Sequence, residues 1–303
     1  MMSLQQKFRG CLTGLAVGDA VGTTCEFRPR GTFPLQTGMT GGGPFNLQPG
    51  QWTDDTSMAL CLAESLLEKN GFDARDQMQR YVRWWKEGYL SSTGKCFDIG
   101  NATKAALQDF LITGEPFSGS THPLSAGNGS LMRLAPVVMF YFPDNAQALH
   151  YAGESSRTTH GAAECIDACC YLASQLMMIF HGADKDALSA GFYQPRTKKI
   201  GLVQGGSYLQ KDVQHIRGSG YVVDSIEAAL WCFHRHNNFA DAVLEAVNLG
   251  DDTDTTAAVT GQLAGAYYGY DAIPPAWRAD ISMAADILRL SDKLQAAASH
   301  SSD

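Results

Sequence analysis

A glycine stripe constrains this chain more than any other feature. Gly10, Gly14, Gly18 and Gly22 recur every four residues through a stretch that reads as helix from Gln5 to about Val21. Residues at that spacing lie one above another on a helix, so the four form a single bare face. Each glycine costs a helix roughly 1 kcal/mol relative to alanine, and a repeated stripe therefore predicts the close approach of another backbone. Gly261, Gly265 and Gly269 repeat the device in a second apolar run. The two stripes predict two helices packed main chain to main chain. In a membrane such spacing marks a helix dimer, but Asp19 and the polar flanks exclude that setting.

Directly before the second stripe stands Gly250-Asp251-Asp252-Thr253-Asp254-Thr255-Thr256. One Asp or Thr there would be an ordinary N-cap. Three carboxylates repel one another unless a cation sits among them. Trp52-Thr53-Asp54-Asp55-Thr56 has the same make-up and also opens an apolar helical run. Hard oxygen donors of this kind select Mg²⁺, Mn²⁺ or Ca²⁺ rather than zinc. Asp252 and Asp254 flank Thr253 and can point the same way, while the adjacent Asp54 and Asp55 can reach two sides of a site. Six candidate oxygens from two loops suit a binuclear centre that keeps positions open for water or substrate. The bland alternative is two independent helix starts with decorative caps, and the recurrence of Thr beside each Asp pair weighs against it. Asp252 to Thr256 also mimics the D-x-D-x-[TV] nucleophile motif of haloacid-dehalogenase-like phosphohydrolases. That chemistry needs a buried strand before the motif, whereas residues 240–249 read as helix.

Period-3.6 apolar patterns further predict helices over 55–67, 74–87, 99–112, 131–142, 144–156, 161–181, 221–236, 239–248, 256–268 and 280–298. Pro136 makes the piece from 131 short or kinked. Period-2 signals are nearly absent, so the fold class is all-α: a single compact multi-helix domain over 1–303, with its core at about 5–298. Residues 193–220 break the periodicity and read as a flexible loop or insertion. The Gly-rich loop 31–50, placed just before Thr53-Asp54-Asp55, is expected to cradle phosphate with its N–H groups. Asp98-Ile99-Gly100-Asn101 lies at a loop-to-helix junction, where Asp98 serves equally as an N-cap. His160 follows Arg157-Thr158-Thr159 at a helix start, a place where a lone histidine is more often a hydrogen-bonded structural group.

A formal charge of −8 argues against nucleic acid held by bulk charge. No continuous apolar run reaches the roughly 20 residues of a membrane span, and the first residues lack a secretory pattern. The eight cysteines are scattered without a C-x-x-C pair, which predicts reduced, buried thiols in a cytoplasmic protein.

Taken together, several segments resemble the ADP-ribosylglycohydrolase family, in particular the bacterial dinitrogenase reductase-activating type. They are Gly14 to Gly22, Glu26-Phe27, Thr53 to Thr56, Asp98 to Asn101, Gly127 to Arg133, Thr159-His160, Tyr221 to Asp224, and Gly250 to Gly269. They stand in family order across almost the whole chain. The resemblance implies an all-α hydrolase that removes ADP-ribose from modified protein side chains, with arginine ranked above serine. It implies two Mg²⁺ or Mn²⁺ ions held by Thr53, Asp54, Asp55, Asp252, Asp254 and Thr255, with Glu26 beside them. Asp98, Gly100 and Asn101 are expected at the ribose next to the scissile bond, with Asp98 as proton carrier and Glu26 as the alternative. Gly127, Asn128, Gly129 and Ser130 are expected at the diphosphate with His160 nearby, and Tyr221 against the adenine. Rival readings are a serine- or O-acyl-ADP-ribose hydrolase on the same site and a silent ADP-ribose-binding relative. The chain departs from its relatives in carrying Asp251 where glycine is usual, and Asp251 is expected to be a bystander to the metals.

Overall fold

A computed structural model describes residues 2–188 and 191–300. In chain order its helices are α1 (Leu4–Gly22), α2 (Asp54–Lys69), α3 (Ala74–Glu87), α4 (Asn101–Thr113), α5 (Ala135–Tyr141), α6 (Asn145–Arg157) and α7 (Ala163–His181). They continue as α8 (Lys185–Leu188), α9 (Lys198–Gln204), α10 (Val222–Arg235), α11 (Phe239–Asn248), α12 (Thr253–Tyr268), α13 (Pro275–Asp280) and α14 (Ala284–His300). Among the described residues the only β pairing is four isolated bridges, so the all-α expectation holds.

The stripes on α1 and α12 meet. A Cβ placed on Gly10 would lie 2.1 Å from the Gly265 carbonyl oxygen, on Gly14 2.2 Å from that of Gly261, and on Gly18 2.1 Å from that of Ala257. These are distances no side chain tolerates, so the glycines are what permits the contact. At the end of the stripe Gly22 faces the backbone of Thr253 and Asp254. Close packing of the two axes therefore delivers the start of α12 to the end of α1. Around this pair α7, α10, α11 and α14 bury one large apolar core. A smaller cluster, including Met58, Tyr81, Trp84 and Phe110, fastens α2, α3 and α4.

Several boundaries differ from the sequence patterns. α12 begins at Thr253 with Asp252 at its N-cap position, so of the acidic motif only Asp254 lies in its first turn. Pro136 sits in the first turn of α5 and starts the helix rather than kinking it, because its missing N–H has no partner to lose there. The run predicted over 280–298 is α14, which starts at Ala284, and the short α13 precedes it. α7 is the one described helix long and apolar enough to cross a membrane, a possibility hidden in the sequence by its interspersed Asp167, Ser174 and Gln175. Seventy-two per cent of that stretch is buried against the rest of the protein, as expected of a core helix. All eight cysteines are free, and seven are buried.

Residues 193–220 carry α9 and are tied down at several points. Buried Asp167 accepts hydrogen bonds from Tyr193 Oη (2.6 Å) and from the Thr197 N–H and hydroxyl (both 2.6 Å). Trp231 Nε1 donates to the Lys211 carbonyl (2.9 Å), and Arg30 reaches the carbonyls of Val213, Ile216 and Leu249.

Candidate metal centre and cleft

Asp19, seen in the sequence only as a polar interruption in α1, is the anchor of the centre. It is fully buried, and it accepts from the Thr53 N–H and hydroxyl on one oxygen (both 2.9 Å). Its other oxygen accepts from the Thr56 N–H (3.0 Å) and hydroxyl (2.6 Å). Asp19 thus does for the first turn of α2 what an N-cap does from within the chain. It also fixes α2 to α1, and hence to α12. Thr53 in turn places its hydroxyl 3.3 Å from both Asp55 Oδ2 and Asp254 Oδ2, and the Thr255 hydroxyl lies 3.4 Å from Asp55 Oδ2.

Two groups of carboxylates result, each with oxygens within 4.8 Å of one another: Asp19, Asp55 and Asp254, and Glu26, Asp98 and Asp254. Asp254 belongs to both, at the centre. Asp19 has its oxygens filled by α2 and serves as a positioning group. Asp252 lies in neither group; its Oδ2 accepts from Asn128 Nδ2 (2.9 Å) at the cleft wall. Asp54 lines the cleft beside it. Burial, reinforced by the neighbouring carboxylates, pushes Asp54, Asp55 and Asp254 well above the usual carboxylate range. The same causes raise Glu26 to about 10 and Asp98 to about 7, while burial takes Asp19 to about 6. Glu26 Oε2 and Asp55 Oδ1 are buried without any hydrogen-bond partner. Unpartnered buried carboxylate oxygens are costly, and no lysine or arginine lines this part of the cleft. Hard anionic oxygens converging without a counter-charge suit a divalent cation. The centre can bind metal.

Above the carboxylates opens a cleft of about 460 Å³, lined by Glu26, Asp54, Asp98, Gly100, Asn101, Gly127, Asn128, Gly129, His160, Asp252, Asp254 and Thr255 among others. It joins a second lobe of about 840 Å³ through shared residues Asn101, Ala102, Gly127 and Gly220, and Tyr221 lines that lobe. An isolated bridge between Gly127 and Tyr221 sets the join, with the Asn128 N–H donating to the Gly220 carbonyl (3.1 Å). Beneath the loop lies His160, close enough that a Cβ on Gly129 would stand 2.7 Å from its ring. Thr159 Oγ1 bonds His160 Nδ1 (2.8 Å), and the fully buried Arg133 donates to Thr159 Oγ1 (2.9 Å). Burial, with the Arg133 charge adding to it, lowers His160 to about 3, so the ring is neutral.

Two expectations need amendment. The Ser130 hydroxyl faces inward, paired with Ser156 Oγ (2.8 Å), and does not line the cleft, because its loop turns into the core there. Thr53 and Asp55, for their part, lie buried beneath the cleft. The loop 31–50 lines neither lobe, although Gly43 and Pro44 line a smaller pocket beside Glu26 and Phe45 packs against Phe27. Gly43 and Gly50 instead admit close backbone contacts, each at a positive φ and with a Cβ position blocked by the Thr23 or Asp280 carbonyl. Asp251, though no part of either carboxylate group, has a structural task. Its carbonyl accepts from the Phe27 N–H and its N–H donates to the Arg28 carbonyl (both 2.8 Å), which clamps the Glu26 loop to the metal loop. Its φ of +68° explains why glycine would also suit the position.

With this geometry in place, comparison with known proteins is direct. The profile of the ADP-ribosylglycohydrolase family matches residues 1–303. ADP-ribosylarginine hydrolase Tri1 of Pseudomonas putida (strain GB-1) is 45% identical over 286 residues, covering 94% of this chain and 77% of that protein. The ADP-ribosyl-[dinitrogen reductase] glycohydrolase of Rhodospirillum rubrum is 32% identical over 305 residues, covering 98% of each. A solved structure described as an ADP-ribosylglycohydrolase-related protein complex superposes with a TM-score of 0.85 at 42% identity, covering 97% of this chain and 99% of that one. On sequence profile, on relatives and on fold, this chain belongs to the ADP-ribosylglycohydrolase family.

Proposed function

We propose that this protein hydrolyses the N-glycosidic bond between ADP-ribose and an arginine side chain of a modified protein, using two Mg²⁺ or Mn²⁺ ions. The observation that carries the reading is the pair of carboxylate groups sharing Asp254 at the closed end of a two-lobed cleft, with two buried oxygens unpartnered. Relatives named ADP-ribosylarginine hydrolases, from Pseudomonas putida and, at 43% identity, from Serratia proteamaculans, support arginine over serine.

In this reading Thr53, Asp54, Asp55, Asp252, Asp254 and Thr255 hold the ions. When bound, they supply a water of lowered pKa and anchor points for ribose hydroxyls. The ribose lies against Gly100 and Asn101, and Asn101, which lines both lobes, bridges toward the nucleotide half. The diphosphate follows the Gly127–Gly129 backbone above neutral His160, and the adenine enters the lobe of Tyr221. In the reaction the anomeric carbon–nitrogen bond breaks and a water oxygen bonds to that carbon. Asp98 takes the water's proton and hands it to the departing guanidine nitrogen, so the protein's arginine side chain is restored and ADP-ribose leaves. Asp98 is preferred because it lines the cleft, half-buried, at a left-handed residue (φ +58°) two positions before Gly100. Glu26, deeper and beside it, is the alternative.

Release of ADP-ribose from arginine- and serine-modified peptides tests the reading, with Mg²⁺, with Mn²⁺ and with chelator. Arginine turnover that chelation abolishes is expected, and Asp54→Ala and Asp252→Ala should each lower it on the order of 100-fold or more. Undiminished turnover in both variants would end the two-metal proposal.

A further inference from the structure

Phe27 is an anomaly that the hydrolytic machinery does not use. Its backbone is left-handed, at φ +63°, a conformation that a bulky residue rarely adopts. The side chain nevertheless remains 66% exposed, so core packing does not explain it. What holds it there is the clamp to Asp251, and its ring forms part of the cleft wall beside Glu26. The ring meets Phe45 edge-on at 6.4 Å, and Phe45 meets Phe97 at 5.2 Å. Phe27 follows Glu26 and Phe97 precedes Asp98. The aromatic arc therefore links the segments that carry Glu26 and Asp98, and none of its three rings lines the lobe of Tyr221.

We propose that this arc is a platform for the arginine of the substrate, with the guanidinium and its stem lying against Phe27 as the ribose enters the cleft. The inference rests on the arginine-hydrolase reading above and specifies how that linkage is recognised. Two observations favour a planar cation as occupant. Carboxylates line the adjoining wall with no lysine or arginine among them, and guanidinium combines affinity for carboxylate with stacking on aromatic faces. A serine hydroxymethyl group has neither the charge nor the plane to use such a surface. Exposure fits as well, since the platform must accept an arginine still attached to a folded protein.

The test compares wild type, Phe27→Ala, Phe27→Tyr and Phe45→Ala on ADP-ribosylarginine and ADP-ribosylserine peptides in Mg²⁺ or Mn²⁺, with ADP-ribose affinity measured alongside. Phe27→Ala should lower kcat/KM for the arginine peptide about tenfold, Phe27→Tyr should recover to within about threefold, and Phe45→Ala should lose about threefold. ADP-ribose should bind all four proteins within about twofold, which also reports an intact fold. Unchanged arginine turnover in Phe27→Ala overturns the platform. So does a parallel loss of ADP-ribose affinity, because the ring would then serve the nucleotide. Wild-type protein that binds ADP-ribose yet leaves the arginine peptide intact is a different failure, and it sinks the hydrolase reading with the platform.

Discussion

At the acidic end of the cleft, Asp19 and Asp254 stand on helices whose main chains touch, and Asp55 stands on α2, whose first turn is fixed to Asp19 by buried hydrogen bonds. At the other end, Tyr221, Glu164 and Lys199 satisfy one another near the surface: Lys199 Nζ donates to Tyr221 Oη (2.6 Å) and pairs with Glu164 at 3.4 Å, while Tyr221 Oη also meets Glu164. The first arrangement cannot relax. Asp19 and Asp254 stay together there, because moving them apart would separate α1 from α12, and Asp55 is held to both through Thr53. The second consists of long side chains free to exchange partners, where each exposed ion pair contributes little. A rigid, unsatisfied floor suits an ion and an invariant bond cleavage, and an adjustable, self-satisfied lobe suits the more forgiving task of holding a nucleotide.

The contrast breaks most violently at the glycine seam. Gly14→Val would drive a side chain into the Gly261 carbonyl, 2.2 Å from its Cβ position. Backbone cannot yield there, so a loss of about 3 kcal/mol or more is expected, with failure to fold the extreme outcome. Gly201, in the middle of α9, has nothing within 4 Å of its Cβ position. Gly201→Ala should shift stability by no more than about 1 kcal/mol, and toward greater stability, by limiting the unfolded chain. Thermal denaturation of the two variants checks both, and comparable losses would refute the distinction between a rigid and an adjustable region.

His160 supports the join between the two ends, and it yields a pH signature. Its folded pKa, about 3, lies below the ordinary value of 6.5, so between these the unfolded chain binds more protons than the folded one. Stability from this residue is therefore fully present above about pH 6.5 and is lost as pH falls toward 3. The loss amounts to about 2 kcal/mol at pH 5. The raised site carboxylates act in the opposite sense, since they hold protons in the folded state, so the comparison must be made against His160→Asn. Denaturant midpoints at pH 5 and 7.5 should show wild type losing about 2 kcal/mol more than the variant on acidification. Equal pH slopes would mean that the ring is protonated in place, and that the join is looser than its burial implies.

How much of this was legible beforehand follows the same division. The glycine stripes announced the α1–α12 contact because a four-residue repeat of the least helix-favouring small residue has few other uses. The paired Thr–Asp clusters announced the acidic centre for a similar reason, namely that repulsion needs a compensating ion. Asp19 escaped because a single aspartate in a helix has no periodic signature, and its four acceptor contacts arise only from tertiary packing. Its position one residue after Gly18 was the available clue. Ser130 and the loop 31–50 were misjudged for the converse reason. Composition shows that a segment can present N–H groups or a hydroxyl, but not which way the chain turns, and glycines needed for close packing look the same in sequence as glycines that would cradle phosphate. The Phe27 turn was equally silent, because a left-handed phenylalanine is produced by the clamp to Asp251, more than 200 residues away.

The smallest effect expected is at Lys199, where the adjustable character of the Tyr221 lobe is most directly exposed. Lys199 is more than half exposed, at 55%, and its two partners would keep water in its absence. Removing it leaves Tyr221 and Glu164 still in contact with each other. Lys199→Ala should therefore change stability by no more than about 0.5 kcal/mol and weaken ADP-ribose by less than about fivefold, as calorimetric titration would read. A loss as large as that expected of the metal-centre aspartates would mean that the lobe depends on one fixed arrangement after all. In that event its three side chains act as a template as rigid as the acidic floor, and the adjustable end of the cleft would have to be sought in α9, which carries Lys199 across to Tyr221.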